Sequence, residues 1–178
     1  MSTIDGLTAG TWNLDAAHST VGFQVRHMMV SKVRGRFDEF SATLHVGDSL
    51  EESRVEAEVQ MASINTGVAD RDNHLKTNDF FEVATYPTMT FTSTALSPTE
   101  LTGDLTIKNV TKPVTFDVEL GGVGADPYGN TRAGFEANLE INRKEFGVDI
   151  DMPLQGGGVV VGDKVKITLD LEFVKAAS

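Results

Sequence analysis

Apolar and polar residues alternate through most of this sequence, and within each run the apolar ones keep one phase. Val21, Phe23 and Val25 share a parity, as do Val55, Ala57, Val59 and Met61; so do Val114, Phe116, Val118 and Leu120, and Val165, Ile167, Leu169, Leu171 and Phe173. A period of two places successive side chains on opposite faces of a strand, so each run carries one apolar wall and one wet wall. Antiparallel sheets with one buried face have this pattern. In a chain of 178 residues such walls meet each other in a sandwich or line a barrel whose interior can hold a small apolar guest. The alternation predicts an all-β single domain over residues 1–178, with strands near 11–16, 18–29, 33–46, 53–63, 88–96, 100–108, 113–122, 131–142 and 163–174. Turn clusters at Gly121-Gly122, Asp126-Pro127-Tyr128-Gly129-Asn130 and Gly156-Gly157-Gly158 separate several of them.

One segment departs from the period. Between Thr66 and Thr85 the alternation is lost, and Val68, Leu75 and the Phe80-Phe81 pair are spaced for short helices. A helical insertion over about residues 67–84, packed on or capping the sheet, is expected. Asp70, Asn78 and Asp79 read as helix-start signals there, with Asn78 or Asp79 capping a turn that carries Phe80 and Phe81 inward.

Charge and composition exclude several functions. With 26 acidic and 15 basic residues the net charge is −11, which repels nucleic-acid phosphates and anionic surfaces unless the contact is local. No nucleic-acid partner is expected. There is no cysteine, hence no disulfide, thiolate nucleophile or cysteine metal site. The first twenty residues lack a basic start followed by an apolar run, and no later run approaches a membrane span. A cytoplasmic protein is the expectation.

The usual catalytic signatures are absent: no His-Glu-x-x-His, no Gly-x-Ser-x-Gly, no Gly-x-Gly-x-x-Gly after a strand. Gly157 to Lys164 has glycines at phosphate-loop spacing, but Asp163 stands where a lysine must cradle phosphate. Among the histidines, His45 falls on the wet phase. His27 shares the parity of Val21, Phe23 and Val25, so it is either a satisfied half-buried histidine or a contact to a ligand's polar end. The spacing of His18, His27, His45 and His74 indicates no metal site. Arg71, Asp72 and His74 form a dense polar cluster in the insertion, read as a structural clasp in preference to an acid–base set. From Arg26 to Arg36 the chain concentrates Arg26, Lys32, Arg34 and Arg36 around a turn bearing Met28 and Met29. Cations flanking adaptable methionines suit a portal that meets a lipid head group or an anionic membrane patch; the alternative is a solvated strand face.

Several blocks, in order, resemble the YceI-like family of bacterial polyisoprenoid-binding proteins. They are Trp12-Asn13-Leu14-Asp15, His18 to His27, Val33-Arg34-Gly35-Arg36-Phe37, Arg71-Asp72-Asn73-His74-Leu75 with Asp79-Phe80-Phe81, Tyr86 to Phe91, Gly103 to Ile107 with Val110 to Val114, and Asn142-Arg143-Lys144-Glu145-Phe146-Gly147. The resemblance implies an extended lipocalin-like antiparallel barrel holding an isoprenoid or other long amphiphile along its axis. Together with the alternation it makes Val21, Phe23, Val25, His27, Val59, Phe80, Phe81, Phe91, Phe116, Phe135 and Leu169 the candidate ligand-lining set. Arg26, Met28, Met29, Arg34 and Arg36 are the candidate portal. The function expected is non-catalytic carriage or storage of an isoprenoid quinone or polyprenyl phosphate, with no cofactor, no catalytic residue and no metal. A transient membrane contact and a homodimer are compatible with it. The rivals are an enzyme using His27, His74 and Asp72 on an amphiphile's polar end, and a stress-related interaction protein with a solidly packed barrel.

Overall fold

A computed structural model describes residues 3–27, 31–148 and 161–177, with His27 and Val161 described by backbone alone. Eleven strands form one antiparallel sheet: β1 Gly10–Leu14, β2 Thr20–His27, β3 Ser31–Phe37, β4 Phe40–Val46, β5 Arg54–Gln60, β6 Ile64–Asn65, β7 Thr88–Leu96, β8 Glu100–Ile107, β9 Val110–Ala125, β10 Thr131–Asn142 and β11 Val161–Lys175. The order β1-β4-β5-β7-β8-β9-β10-β11 closes on itself through pairing of β11 with β1. The result is a closed eight-stranded barrel. β2, β3 and β6 extend β1, β4 and β5 upward, pairing as β11-β2-β3-β6 at one end of it.

This layout corrects the sequence expectations in four places. The strand expected over 33–46 is two, because the ladder breaks at Asp38-Glu39 and β3 and β4 face different partners, β2 and β1. The strand expected over 53–63 ends at Gln60, where the 3-10 turn Met61–Ser63 bends the chain away before β6. The strand expected to reach residue 16 stops at Leu14. The Asp15 carboxylate there accepts the Ala17 N–H and starts a 3-10 turn, Ala16–His18. The helical insertion reduces to one seven-residue helix, α1 Ala69–Leu75, followed by turns. Its cap position is Val68, which supplies no side-chain bond, and Asp79 bonds His74 instead of capping a turn.

Local chemistry explains the better-behaved elements. β8 and β9 are joined by two residues, Lys108 and Asn109, both with positive φ (51° and 66°), as a two-residue hairpin that keeps the strand twist requires. Pro113 lies where β9 pairs only with β8, since the β10 ladder reaches no further than Asp117. Between β9 and β10 the register slips after Leu120, so that Gly121 is extra and Gly122 takes φ 149°. Leu120 still stands opposite Phe135 but is 37% exposed at this bulge, so the apolar wall of β9 ends at Val118.

The inward faces make three linked clusters. At one end Trp12, 0% exposed, packs with Leu7, Leu44, Leu50, Ala133 and Phe173, and its indole N–H donates to the Thr8 carbonyl. The N-terminal segment thereby plugs this end. Phe91, Leu101, Leu105 and Phe116 fill the middle, and Phe37, Met61 and Ile64 with Phe23 occupy the β2–β3 end.

A candidate apolar lumen and its polar clasps

The inward residues leave three apolar chambers in line along the barrel axis. The first, about 110 Å³, is walled by Val21, Phe23 and Val25 of β2, Phe37, Met61 and Met89, with Leu75, Phe80 and Phe81 from the insertion and Phe146 from the far side. The second, about 100 Å³, lies under Val59, Phe91, Phe116, Leu169 and Phe40. The third, about 50 Å³, ends blindly at Leu7, Leu44 and Leu50 beneath Trp12, with Phe135 and Ala137 on its wall. Adjacent chambers share walls. Val21, Met89 and Ile167 border the first and second, and Val55, Leu101, Leu171 and Phe173 the second and third. Well-packed interiors hold few voids larger than a water molecule, so three adjoining spaces along the axis are the candidate lumen.

Two gaps in the hydrogen-bonded wall lie at the β2–β3 end, and each is filled by a non-strand segment. β6 and β7 do not pair, and the chain from Thr66 to Pro87 occupies the space between them. It turns Phe80 (6% exposed), Phe81 and Leu75 into the first chamber. The N-terminal part of β9 and the C-terminal part of β10 likewise separate, and the 3-10 turn Arg143–Phe146 sits against β9, burying Phe146 and Arg143. Arg143 is the one charged side chain on the chamber walls among the described residues. Its guanidinium donates from Nε to the Gly162 carbonyl (2.9 Å) and from Nη1 to the Val148 carbonyl (2.8 Å), tying together the chain on both sides of residues 149–160.

The insertion is held by a clasp centred on Thr66. Asp72 Oδ1 accepts from the Thr66 N–H (2.9 Å) and hydroxyl (2.5 Å), while Arg71 donates from Nε to Thr66 Oγ1 and from Nη2 to the Thr66 carbonyl (both 2.7 Å). The two charged residues therefore meet on Thr66, not on each other. His74 stands apart: its Nε2 lies 2.8 Å from Asp79 Oδ2, and its ring meets Phe80 edge-on at 5.1 Å.

Among the described residues the largest polar network lies at the plugged end, and no sequence pattern points to it. Arg132 donates from Nη1 to Asp15 and Glu172 and from Nε to Asp126, each at 2.8 Å. Its guanidinium, and then the His18 ring 2.8 Å away, hold the Asp15 carboxyl down at about 2. The same guanidinium, with the N–H groups of Asn130 and Tyr128, holds Asp126 well below the usual carboxylate range. Arg132 is in turn raised by Asp15 and then Asp126. Asp15, His18 and Glu172 are also the one group among the described residues whose ligand atoms converge to metal-binding distance. The guanidinium already supplies their positive charge. Asp15 is readable from sequence as a turn cap, but nothing local connects it to Arg132, 117 positions away.

The remaining sequence candidates are placed as follows. The His27 backbone pairs with Ser31 and Val161; its side chain, and Met28 and Met29, lie outside the described residues. Arg26, Arg34 and Arg36 are exposed on the outer faces of β2 and β3. Arg34 bonds Gln24 and Arg36 bonds Asp38, whose carboxyl it lowers. Lining residues that the alternation did not single out are Leu75, Met89, Ile107, Ile141, Phe146 and Val148.

A closed antiparallel barrel with apolar chambers along its axis belongs to the class of lipocalin-like β-barrels. Within that class this chain belongs to the YceI-like domain family, whose profile matches residues 12–173. It is 40% identical over 165 residues to a UPF0312 protein of Staphylococcus aureus strain USA300, covering 91% of this chain and 96% of that one. Among solved structures it is similar to BcnA of Burkholderia cenocepacia, with a TM-score of 0.76 and 26% identity over 89% of this chain and 98% of the other. It shares its fold with a polyisoprenoid binding domain from Saccharophagus degradans, TM-score 0.67 and 18% identity, over 93% and 98% of the two chains.

Proposed function

We propose that the protein binds the long apolar chain of an isoprenoid or similar amphiphile along the barrel axis, and carries or stores it without transforming it. The observation that carries this reading is the line of three adjoining chambers whose walls are almost wholly apolar. Small chambers following one another along the axis suit a slender chain better than a compact ligand. Met89 at the first constriction is a side chain able to move aside at low cost. Dry empty space costs a core ~24 cal/mol per Å³, so the two larger chambers stand for roughly 5 kcal/mol of forgone packing. A guest restores those contacts, and each methylene removed from water adds ~0.8 kcal/mol before ordering costs. The polyisoprenoid binding described for the Saccharophagus degradans domain agrees with this reading, although that likeness carries the fold alone.

Binding without turnover is favoured by the positions of the polar groups. Asp72 is engaged by Thr66, His74 faces Asp79 and the edge of Phe80, and Arg143 is bonded to backbone carbonyls. None of these presents a base or nucleophile to the chambers. The test is native mass spectrometry of the purified protein, followed by organic extraction. A long-chain lipid released at near-unit stoichiometry is expected. A protein that stays empty after incubation with polyprenyl phosphate and with an isoprenoid quinone would sink the reading.

A further inference from the structure

Charge is sharply segregated on the outside of the barrel. β2 and β3 carry Arg26, Lys32, Arg34 and Arg36 and no Asp or Glu, in a chain whose acidic residues outnumber its basic ones by 26 to 15. The tertiary pairing then adds two cations that lie far off in sequence. β11 runs beside β2, with Lys166 opposite Gln24, itself opposite Arg34 across the β2–β3 ladder; Lys164 follows one outward position further along β11. Outward side chains on neighbouring strands stand ~5 Å apart when directly opposite, so six cations share one continuous face. Few are neutralised. Arg36 pairs with Asp38 at 2.7 Å and Lys164 lies 3.8 Å from Glu140, while Arg26, Lys32 and Lys166 pair with no carboxylate among the described residues. A groove of about 390 Å³ runs through the face, lined by Gln24, Arg26, Lys32, Lys164 and Lys166 and also by Asp163 and by Glu140, which stands opposite Lys166 on β10.

The place of this face in the fold gives it a purpose. The outward residues of β2 are Thr20, Gly22, Gln24 and Arg26, while its inward residues Val21, Phe23 and Val25 line the first chamber. This is the end away from the Trp12 plug, where the wall is completed by turns instead of paired strands. We propose that the outer face of β2, β3 and the start of β11 docks on an anionic lipid bilayer, bringing the half of the lumen away from the Trp12 plug to the surface where its guest resides. Charge complementarity argues for a bilayer. The cations lie over adjacent strands, suiting a charged surface many head groups wide, and the outward positions of β2 and β3 carry no large apolar anchor of the kind a protein interface is built around. The proposal takes its purpose from the lipid-binding reading above, but docking is measured without any guest.

The experiment is cosedimentation of the full chain with vesicles of phosphatidylglycerol and phosphatidylcholine, and with vesicles of phosphatidylcholine alone. At ~0.01 M ionic strength, where electrostatic reach is ~30 Å, the wild type should bind the anionic vesicles, ignore the neutral ones, and be released as salt rises. Each cation near an anionic surface is worth about fivefold in partition. Lys32→Gln with Lys166→Gln, neither of which touches the lumen, should therefore weaken binding about 25-fold with an unchanged melting temperature. Arg54→Gln with Lys175→Gln makes the same change in net charge away from this face and should stay within about twofold of wild type. Equal binding to neutral vesicles, no binding to anionic ones, or equal loss in both double variants would each overturn the proposal. Lipid extraction from the same samples reports the lumen separately, so an empty lumen with intact docking fails only the binding reading.

Discussion

Single residues here act by closing what the strands alone leave loose. Gly35 stands opposite Phe23, and a Cβ at that position would overlap the Phe23 ring. The outer edge of the phenyl group occupies the space above Gly35 because there is no side chain there. Arg132 acts through charge, drawing three carboxylates from three parts of the chain to one guanidinium. Asp15 is the member whose titration is informative. Its folded value of about 2 lies below the ~3.9 of an unfolded chain, so its stabilisation is complete above about pH 4 and is lost as pH falls toward 2. Discounted for solvent at its partly exposed edge, that contribution is about 1–2 kcal/mol. Asp15→Asn should therefore be less stable than wild type by this amount at pH 7 and converge with it near pH 2. Urea unfolding across that range checks it; a gap that persists undiminished in acid would assign the loss to the turn at Ala17 instead.

At the scale of elements, the segment between β6 and β7 is a piece of wall more than a helix. α1 has seven residues and no side-chain cap, too little to persist alone. It holds because Leu75, Phe80 and Phe81 are drawn into the core while Arg71 and Asp72 grip Thr66. Asp72→Ala leaves the Thr66 N–H without its acceptor, a loss of about 1–3 kcal/mol. For a domain of this length each kcal/mol moves the melting temperature by ~2–4 °C. The expected result is a fall of several degrees, with hydrogen exchange accelerated over residues 66–85 and protection retained in β8 to β10. Uniform acceleration across the barrel would show that the clasp supports the whole fold and not this wall. The loss of alternation between Thr66 and Thr85 marks the segment in the sequence. Its conformation is not readable there, because two phenylalanines at a turn and on a helix give the same spacing.

For the whole molecule, the interior is decided by how the eight strands close. Phe116 borders the middle chamber and meets Phe91 edge-on at 5.5 Å. Phe116→Trp should place extra ring volume in a space of about 100 Å³, leaving a folded barrel that holds less long-chain lipid by extraction. Unaltered stoichiometry would mean that the guest does not reach past the first chamber. The strands and their inward phase were legible in the sequence because period-two alternation is short-range stereochemistry: Val21, Phe23, Val25, Val165 and Ile167 face inward wherever the strands go. Absence of cysteine and the acidic balance were equally direct. Local pattern contains no record of which strands meet, and there tertiary structure decided. Breaks at Asp38-Glu39 and Gln60 follow from β3 and β4, or β5 and β6, taking different partners. Arg132 reaches Asp15, and Lys166 joins Arg34, only because barrel closure brings distant strands side by side. The sequence by itself determined which side of each strand is apolar, since a residue and its second neighbour settle that; the lumen and the cationic face exist only once the ring is closed.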